Sequence, residues 1–197
     1  MKIGGFQPVT LSDYPGRVAA IIFTQGCNFR CPRCHNKSLI SATRSEGSLV
    51  PVEHVLALLR HLRGRLDGVV VTGGEPTIQN DLPTFLSQIK EQDYHVKLDT
   101  NGSRPCMLGT LINRRLVDFI AMDVKAPWDI YPHVTNTALP VDLLQKSIQI
   151  IADSGIDHEF RTTAVADLSP VHLQAIAAML PRNSRYCVQP YRTPIES

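Results

Sequence analysis

Cys27-Asn28-Phe29-Arg30-Cys31-Pro32-Arg33-Cys34 packs three thiols into eight residues. A structural zinc site normally takes four ligands in a closed tetrahedron, so three thiolates leave it one short. His35 is the nearest fourth donor, but its adjacency to Cys34 is awkward for a shared tetrahedron. A four-iron, four-sulfur cube has four irons to ligate, and three thiolates leave one iron open to bind something else. Cys27, Cys31 and Cys34 are therefore candidate ligands of an iron–sulfur cluster, which thiolates suit. Cys106 and Cys187 are far away in sequence, and buried free thiols are the expectation for both.

Other polar groups stand at the ends of apolar runs. Thr72-Gly73-Gly74-Glu75-Pro76 offers glycines, which let backbone approach a ligand, and a carboxylate that can accept from a cationic amino group. The plainer alternative is a strand-to-helix turn with an exposed carboxylate. Asp99-Thr100-Asn101-Gly102 and Asp123-Val124-Lys125 supply two more carboxylates and an ammonium. For Asp99 and Asn101 the alternative is a capped turn. Arg161 stands in Phe160-Arg-Thr-Thr163 on an expected strand, and a buried guanidinium needs a carboxylate partner, Asp123 among the candidates.

The elements that position these groups follow from periodicity. Six strands are expected at 18–24, 68–72, 95–99, 119–124, 158–163 and 185–189, mostly short apolar or β-branched runs. Five are followed by helices. The first opens at Pro51 with Val52, Val55, Leu56, Leu59 and Leu62 on one face, and the second has Asp81 as its N-cap. The third begins at Ser103 and Pro105, the fourth carries Leu143, Leu144, Ile148 and Ile151, and the fifth starts at Ser169-Pro170. Strand–helix alternation at this spacing implies right-handed βαβ units and an α/β fold, with the candidate residues on loops at the C-terminal strand ends.

The 197 residues fit one domain, 1–197, with a sizeable core. A formal charge of +2 gives no reason to expect nucleic acid or a membrane surface as partner. Five cysteines, three of them clustered, argue against a secreted disulfide framework. No signal peptide or transmembrane span is visible, and a cytoplasmic location is the default expectation.

The C-x3-C-x2-C spacing resembles the signature of the radical S-adenosylmethionine (SAM) superfamily. Residues 4–16 (GGFQPVTLSDYPG) and 23–28 (FTQGCN) resemble a narrower group, the anaerobic ribonucleoside-triphosphate reductase activating proteins among the glycyl-radical-enzyme activases. The resemblance implies a partial (β/α)6 TIM-like barrel with a lateral mouth. It implies a [4Fe-4S] cluster on Cys27, Cys31 and Cys34, with SAM chelating the open iron. One-electron cleavage would then release a 5′-deoxyadenosyl radical able to abstract hydrogen from a glycine Cα. Gly73, Gly74 and Glu75 match the family's GGEP motif, and Asp99, Asn101, Asp123, Lys125 and Arg161 its SAM-facing positions; some relatives bind a monovalent cation there. Gln189 to Arg192 fall where relatives contact adenine or ribose. Two departures stand out: Arg33 replaces the usual aromatic before the third cysteine, and Arg192 the histidine near the last strand.

The implied partners are a glycyl radical enzyme, the large subunit of an anaerobic ribonucleotide reductase, and an electron donor such as flavodoxin or ferredoxin. Asp13 is the candidate contact to the glycyl loop. Trp128, Tyr131 and His133 are candidates for the partner-facing surface, with local core as the alternative. His54 and His61 read as surface residues. Alternative functions are activation of pyruvate formate-lyase or another glycyl radical enzyme, small-molecule chemistry such as deazapurine synthesis, and a non-catalytic zinc-binding module.

Overall fold

The computed structural model describes residues 1–43 and 48–191. Strand β1 (Ile3–Thr10) runs antiparallel to β2 (Ala19–Thr24), pairing Ile3 with Thr24 and Thr10 with Ala19. The remaining strands are parallel to β2: β3 (Gly68–Gly73), β4 (His95–Thr100), β5 (Phe119–Asp123), β6 (Asp157–Ala164) and β7 (Arg185–Pro190). They form one seven-stranded sheet in the order β1 to β7. Sequential order with every parallel crossover helical is the winding of a TIM-like barrel, here left open between β1 and β7.

Strand β1 is a correction to the sequence reading, which took residues 4–16 only as a motif. Two glycines and Pro8 weaken its strand signal. As an edge strand with irregular register it tolerates all three. The other six strands fall within a residue or two of their expected positions.

Helices α1 (Val52–Leu62), α2 (Leu82–Lys90) and α3 (Pro105–Asn113) cover the outer face of the sheet. A short helix α4 (Tyr131–Thr135), absent from the sequence reading, follows β5 and ends on Asn136 in the left-handed conformation. Helices α5 (Val141–Ala152) and α6 (Pro170–Met179) complete the layer. Asp81 holds the N-cap position of α2 without a side-chain capping bond. Ser169 caps α6 as expected, accepting from the His172 amide at 3.3 Å while its own amide donates to His172 Nδ1.

Alternation along each strand divides the core. Ala20, Ile22, Val69, Val71, Val96, Leu98, Ile120 and Met122 face outward to the helices. Facing inward, Tyr14, Ala19, Ile21 and Val70 pack with Phe23 and Phe119 into a second cluster. Tyr14, on the β1–β2 connection, fills the N-terminal end of the barrel, with the Arg17 guanidinium 5.6 Å from its ring centroid. The C-terminal end carries polar side chains instead, and there the candidate residues gather.

Candidate active site

The cysteine loop leaves β2 through Gln25 and Gly26. Gln25 is buried, and its side-chain amide donates to the carbonyls of Ser38 (3.0 Å) and Ser41 (2.7 Å). The amides of Gly26 and Cys27 donate to Leu39 and Ile40, so the loop closes on itself at its base. Phe29 points down into the core, 1% exposed, edge-on to Tyr131 with ring centroids 6.3 Å apart. With the aromatic between them anchored, all three cysteines stay half-buried against the barrel mouth.

Gly74 locks this loop to the next. Its amide donates to Thr24, and the Glu75 amide donates to the Gly26 carbonyl at 2.8 Å. A Cβ on Gly74 would lie 2.0 Å from that carbonyl oxygen, so no other residue fits without displacing backbone. Glu75 is 1% exposed, and its carboxylate serves the protein. Oε1 accepts from the Thr77 amide, the Thr77 hydroxyl and the Thr100 hydroxyl; Oε2 accepts from the Asn101 amide at 2.6 Å. Burial pushes its pKa up, and these hydrogen bonds oppose the rise. The exposed-carboxylate alternative is thus excluded.

Asn101 completes a turn, as its alternative reading has it: its side-chain oxygen accepts from the Ser103 amide at 3.0 Å. Its side-chain nitrogen donates to Asn28 on the cysteine loop, and Asn28 donates onward to the Ser103 hydroxyl at 2.8 Å. The cysteine loop is therefore tied to both the β3 and β4 ends.

Across β4, β5 and β6 runs a ladder of alternating charges: Lys97, Asp99, Arg161, Asp123, Lys125. Parallel register sets Asp123 beside Arg161, so both side chains face inward. Arg161 Nη2 lies 3.1 Å from Asp123 Oδ1 and 3.5 Å from Asp99 Oδ2. Lys125 Nζ lies 3.2 Å from Asp123 Oδ2, and Lys97 Nζ sits 2.5 Å from Asp99 Oδ1. Burial alone would raise the Asp123 pKa, but the Lys125 and Arg161 cations outweigh it and hold the carboxyl at about 2. Burial likewise works against the Lys125 charge, and Asp123 with Cys31 reverses the effect, raising the lysine pKa. Lys97 is the residue that sequence reasoning missed. Its signal was a lysine inside an apolar strand, two residues before Asp99 and hence on the same face.

One cavity of about 320 Å³ brings these groups together. Cys27, Cys31, Cys34, Gly73, Gly74, Glu75, Asp99, Asn101, Asp123, Lys125 and Arg161 all line it, and it reaches Asp13 and Gln189. Other sequence expectations fall differently. Tyr131 is core rather than partner surface, Trp128 is half-buried against it at 5.6 Å, and His133 is exposed. Cys106 is exposed and Cys187 half-buried; neither is a buried thiol. His54 and His61 are exposed. Arg192 lies outside the described residues. Arg33, where the resemblance expects an aromatic, reaches Asp167 at 3.6 Å, and the neighbouring His35 ring stacks on Tyr191 at 4.9 Å.

The donor set fits an iron–sulfur cube. Among the described residues no three His, Cys, Asp or Glu side chains converge closely enough to hold a single metal ion. A cube instead spreads its thiolates over separate corners. Burial pushes the Cys27 thiol up to about 11 and raises Cys31 as well, so iron must displace protons from both.

The chain belongs to the Radical SAM superfamily, whose model matches residues 21–180. It is a radical SAM enzyme, of a superfamily that uses a [4Fe-4S] cluster and SAM; solved neighbours hold one or the other. This membership sets aside the zinc-module alternative. Over 169 residues the chain is 33% identical to a protein of Methanocaldococcus jannaschii provisionally named a glycyl-radical enzyme activating enzyme. That match covers 83% of this chain and 68% of the relative. Pyruvate formate-lyase-activating enzyme of Clostridium pasteurianum is 33% identical over 109 residues, covering 51% of this chain and 43% of its own. The 7-carboxy-7-deazaguanine synthase of Aquifex aeolicus is 31% identical over 88 residues, covering 45% and 38%. The chain thus spans less than half of the last two relatives. Among solved structures, Streptococcus suis SuiB has a TM-score of 0.69 at 15% identity, over 88% of this chain and 39% of SuiB, a likeness of fold alone. Among the described residues no helix is long and apolar enough to cross a membrane.

Proposed function

We propose that this chain, as one radical SAM domain over residues 1–197, is the activase of an anaerobic ribonucleoside-triphosphate reductase. The observation that carries the reading is that three thiols, the half-buried cations Lys125 and Arg161, and Asp13 all line one cavity. Bound there, a [4Fe-4S] cluster and SAM supply one-electron cleavage of a sulfonium C–S bond, the chemistry that lets a hydrogen atom be taken from a glycine Cα.

The chain's own residues bind, orient and shield. Cys27, Cys31 and Cys34 hold three corners of the cluster. Arg161 and Lys125, sharing Asp123, receive the carboxylate of the amino-acid moiety. Backbone at Gly73 and Gly74 lets that moiety lie close, while Glu75 and Asn101 keep the loops in register. Phe29 and Tyr131 exclude water beneath the site. Asp13 meets the incoming glycine loop, which enters between the β1 and β7 edges of the sheet. An electron donor of the flavodoxin or ferredoxin class would supply the electron.

The choice of reductase rests on residues 4–16 and 23–28, while the glycyl-radical relative supports the broader reading of an activase. Likeness to 7-carboxy-7-deazaguanine synthase supports a small-molecule substrate as second reading. The test is to mix reduced, SAM-loaded protein with candidate enzymes and record electron paramagnetic resonance. A glycyl doublet on the anaerobic reductase is expected. A doublet only on pyruvate formate-lyase, or turnover only of a small-molecule substrate to a deazapurine, overturns the assignment.

A further inference from the structure

The charge ladder contains one more cation than it needs. Asp123 is shared by two cations, Arg161 and Lys125. Asp99 is the only other carboxylate in the ladder, and its closest partner is Lys97, not Arg161, whose Nη2 stands 3.5 Å off. Lys97 is 2% exposed, with its ammonium 5.8 Å from the Phe119 ring centroid, so it cannot swing to solvent. The other inward carboxylates have their own partners. Glu159 faces Arg185 at 3.6 Å, and Glu75 is saturated by Thr77, Thr100 and Asn101.

A lysine buried in a strand interior costs desolvation and side-chain entropy. Its return here is electrostatic. Without Lys97, Asp99 would claim the Arg161 guanidinium, and two carboxylates would cancel two cations. With it, Asp99 is neutralised locally, and Arg161 with Lys125 keeps one uncompensated positive charge against the cavity. We infer that Lys97 is a positioning residue that leaves the five-residue ladder with a net charge of plus one, so that Arg161 and Lys125 accept the carboxylate of the bound amino-acid moiety. The inference rests on the reading of this cavity as the SAM site. It makes Asp99 a counter-ion of the protein rather than a ligand of SAM.

The probes are S-adenosylhomocysteine, which carries the amino-acid carboxylate, and 5′-methylthioadenosine, which lacks it. Both are titrated by calorimetry into cluster-reconstituted protein. Lys97→Met should weaken S-adenosylhomocysteine about tenfold, the size of a partly screened single charge, and leave methylthioadenosine unchanged. Lys97→Arg should restore the affinity. Asp99→Asn, which removes the opposing charge, should tighten S-adenosylhomocysteine, and it decides the matter if Lys97→Met does not fold. Equal weakening of both probes in Lys97→Met means a structural role and overturns the inference. So does weaker S-adenosylhomocysteine binding in Asp99→Asn. A wild-type chain that binds neither probe overturns the SAM-site reading itself, a separate result.

Discussion

Replacing Glu75 by glutamine keeps its shape and turns one acceptor into a donor. That donor would face the Asn101 amide or the hydroxyls of Thr77 and Thr100, all of which already donate. Glu75→Gln should therefore cost about 2 kcal/mol, the penalty for buried groups left unpaired. Urea denaturation measures it, and an unchanged midpoint contradicts the assignment of Glu75 as the tie between β3 and β4. Asp123 gives a pH signature. Its folded-state pKa of about 2 lies below the ordinary carboxylate value of about 3.9, so its charge stabilises the fold above the latter. That contribution is lost as pH falls from about 4 through about 2. The stability difference between wild type and Asp123→Asn should be flat above this window and shrink within it. A difference that grows with acid contradicts the ladder. Sequence alone exposed most of these residues, because carboxylates and cations at the ends of apolar runs are conspicuous. It did not reveal that Glu75 and Asn101 spend their hydrogen bonds inside the protein, since partner geometry is a product of three loops meeting. Lys97 is inconspicuous in sequence, because a lone lysine in a short strand shows its partner only once strand alternation puts it on the face of Asp99.

Element geometry makes two glycines a matched pair. Gly16 adopts φ +71° with nothing within 4 Å of a built Cβ, so Gly16→Ala pays only conformational strain, about 1 kcal/mol. Gly74→Ala must push the Gly26 carbonyl aside and part the cysteine loop from the β3 loop. Its cost should be about 3 kcal/mol or more, with iron content falling in step. Thermal melting with iron analysis checks both; equal effects at the two positions contradict the lock between loops. Periodicity placed the five long helices and six of the strands because parallel strands buried on both faces read as unbroken apolar runs. It passed over β1, where Gly4, Gly5 and Pro8 fit an edge that needs few ladder bonds. It also passed over α4, five residues too short to show a stripe.

At the scale of the molecule, the sheet is closed by packing at its N-terminal end, where Tyr14 sits among Ala19, Ile21 and Val70. It is polar at its C-terminal end and open between β1 and β7. The three cysteines thereby stand at one end of one cavity, and in the proposed function the open side is the route for a bulky substrate. The alternation of strands and helices made the α/β class readable, while barrel closure depends on twist and on which edges meet, which periodicity does not encode. In the proposed function Cys27, Cys31 and Cys34, held by the β2–β3–β4 loops, carry the cluster that cleaves SAM. Anaerobically reconstituted wild type and five Cys→Ala variants should be compared for iron, acid-labile sulfide and 5′-deoxyadenosine formed on reduction. About four irons per wild-type chain are expected, as one cube requires. Loss of 5′-deoxyadenosine is expected in the Cys27, Cys31 and Cys34 variants, and near-normal product in the Cys106 and Cys187 variants. Normal 5′-deoxyadenosine from any of the first three, or its loss from both of the last two, would contradict this reading.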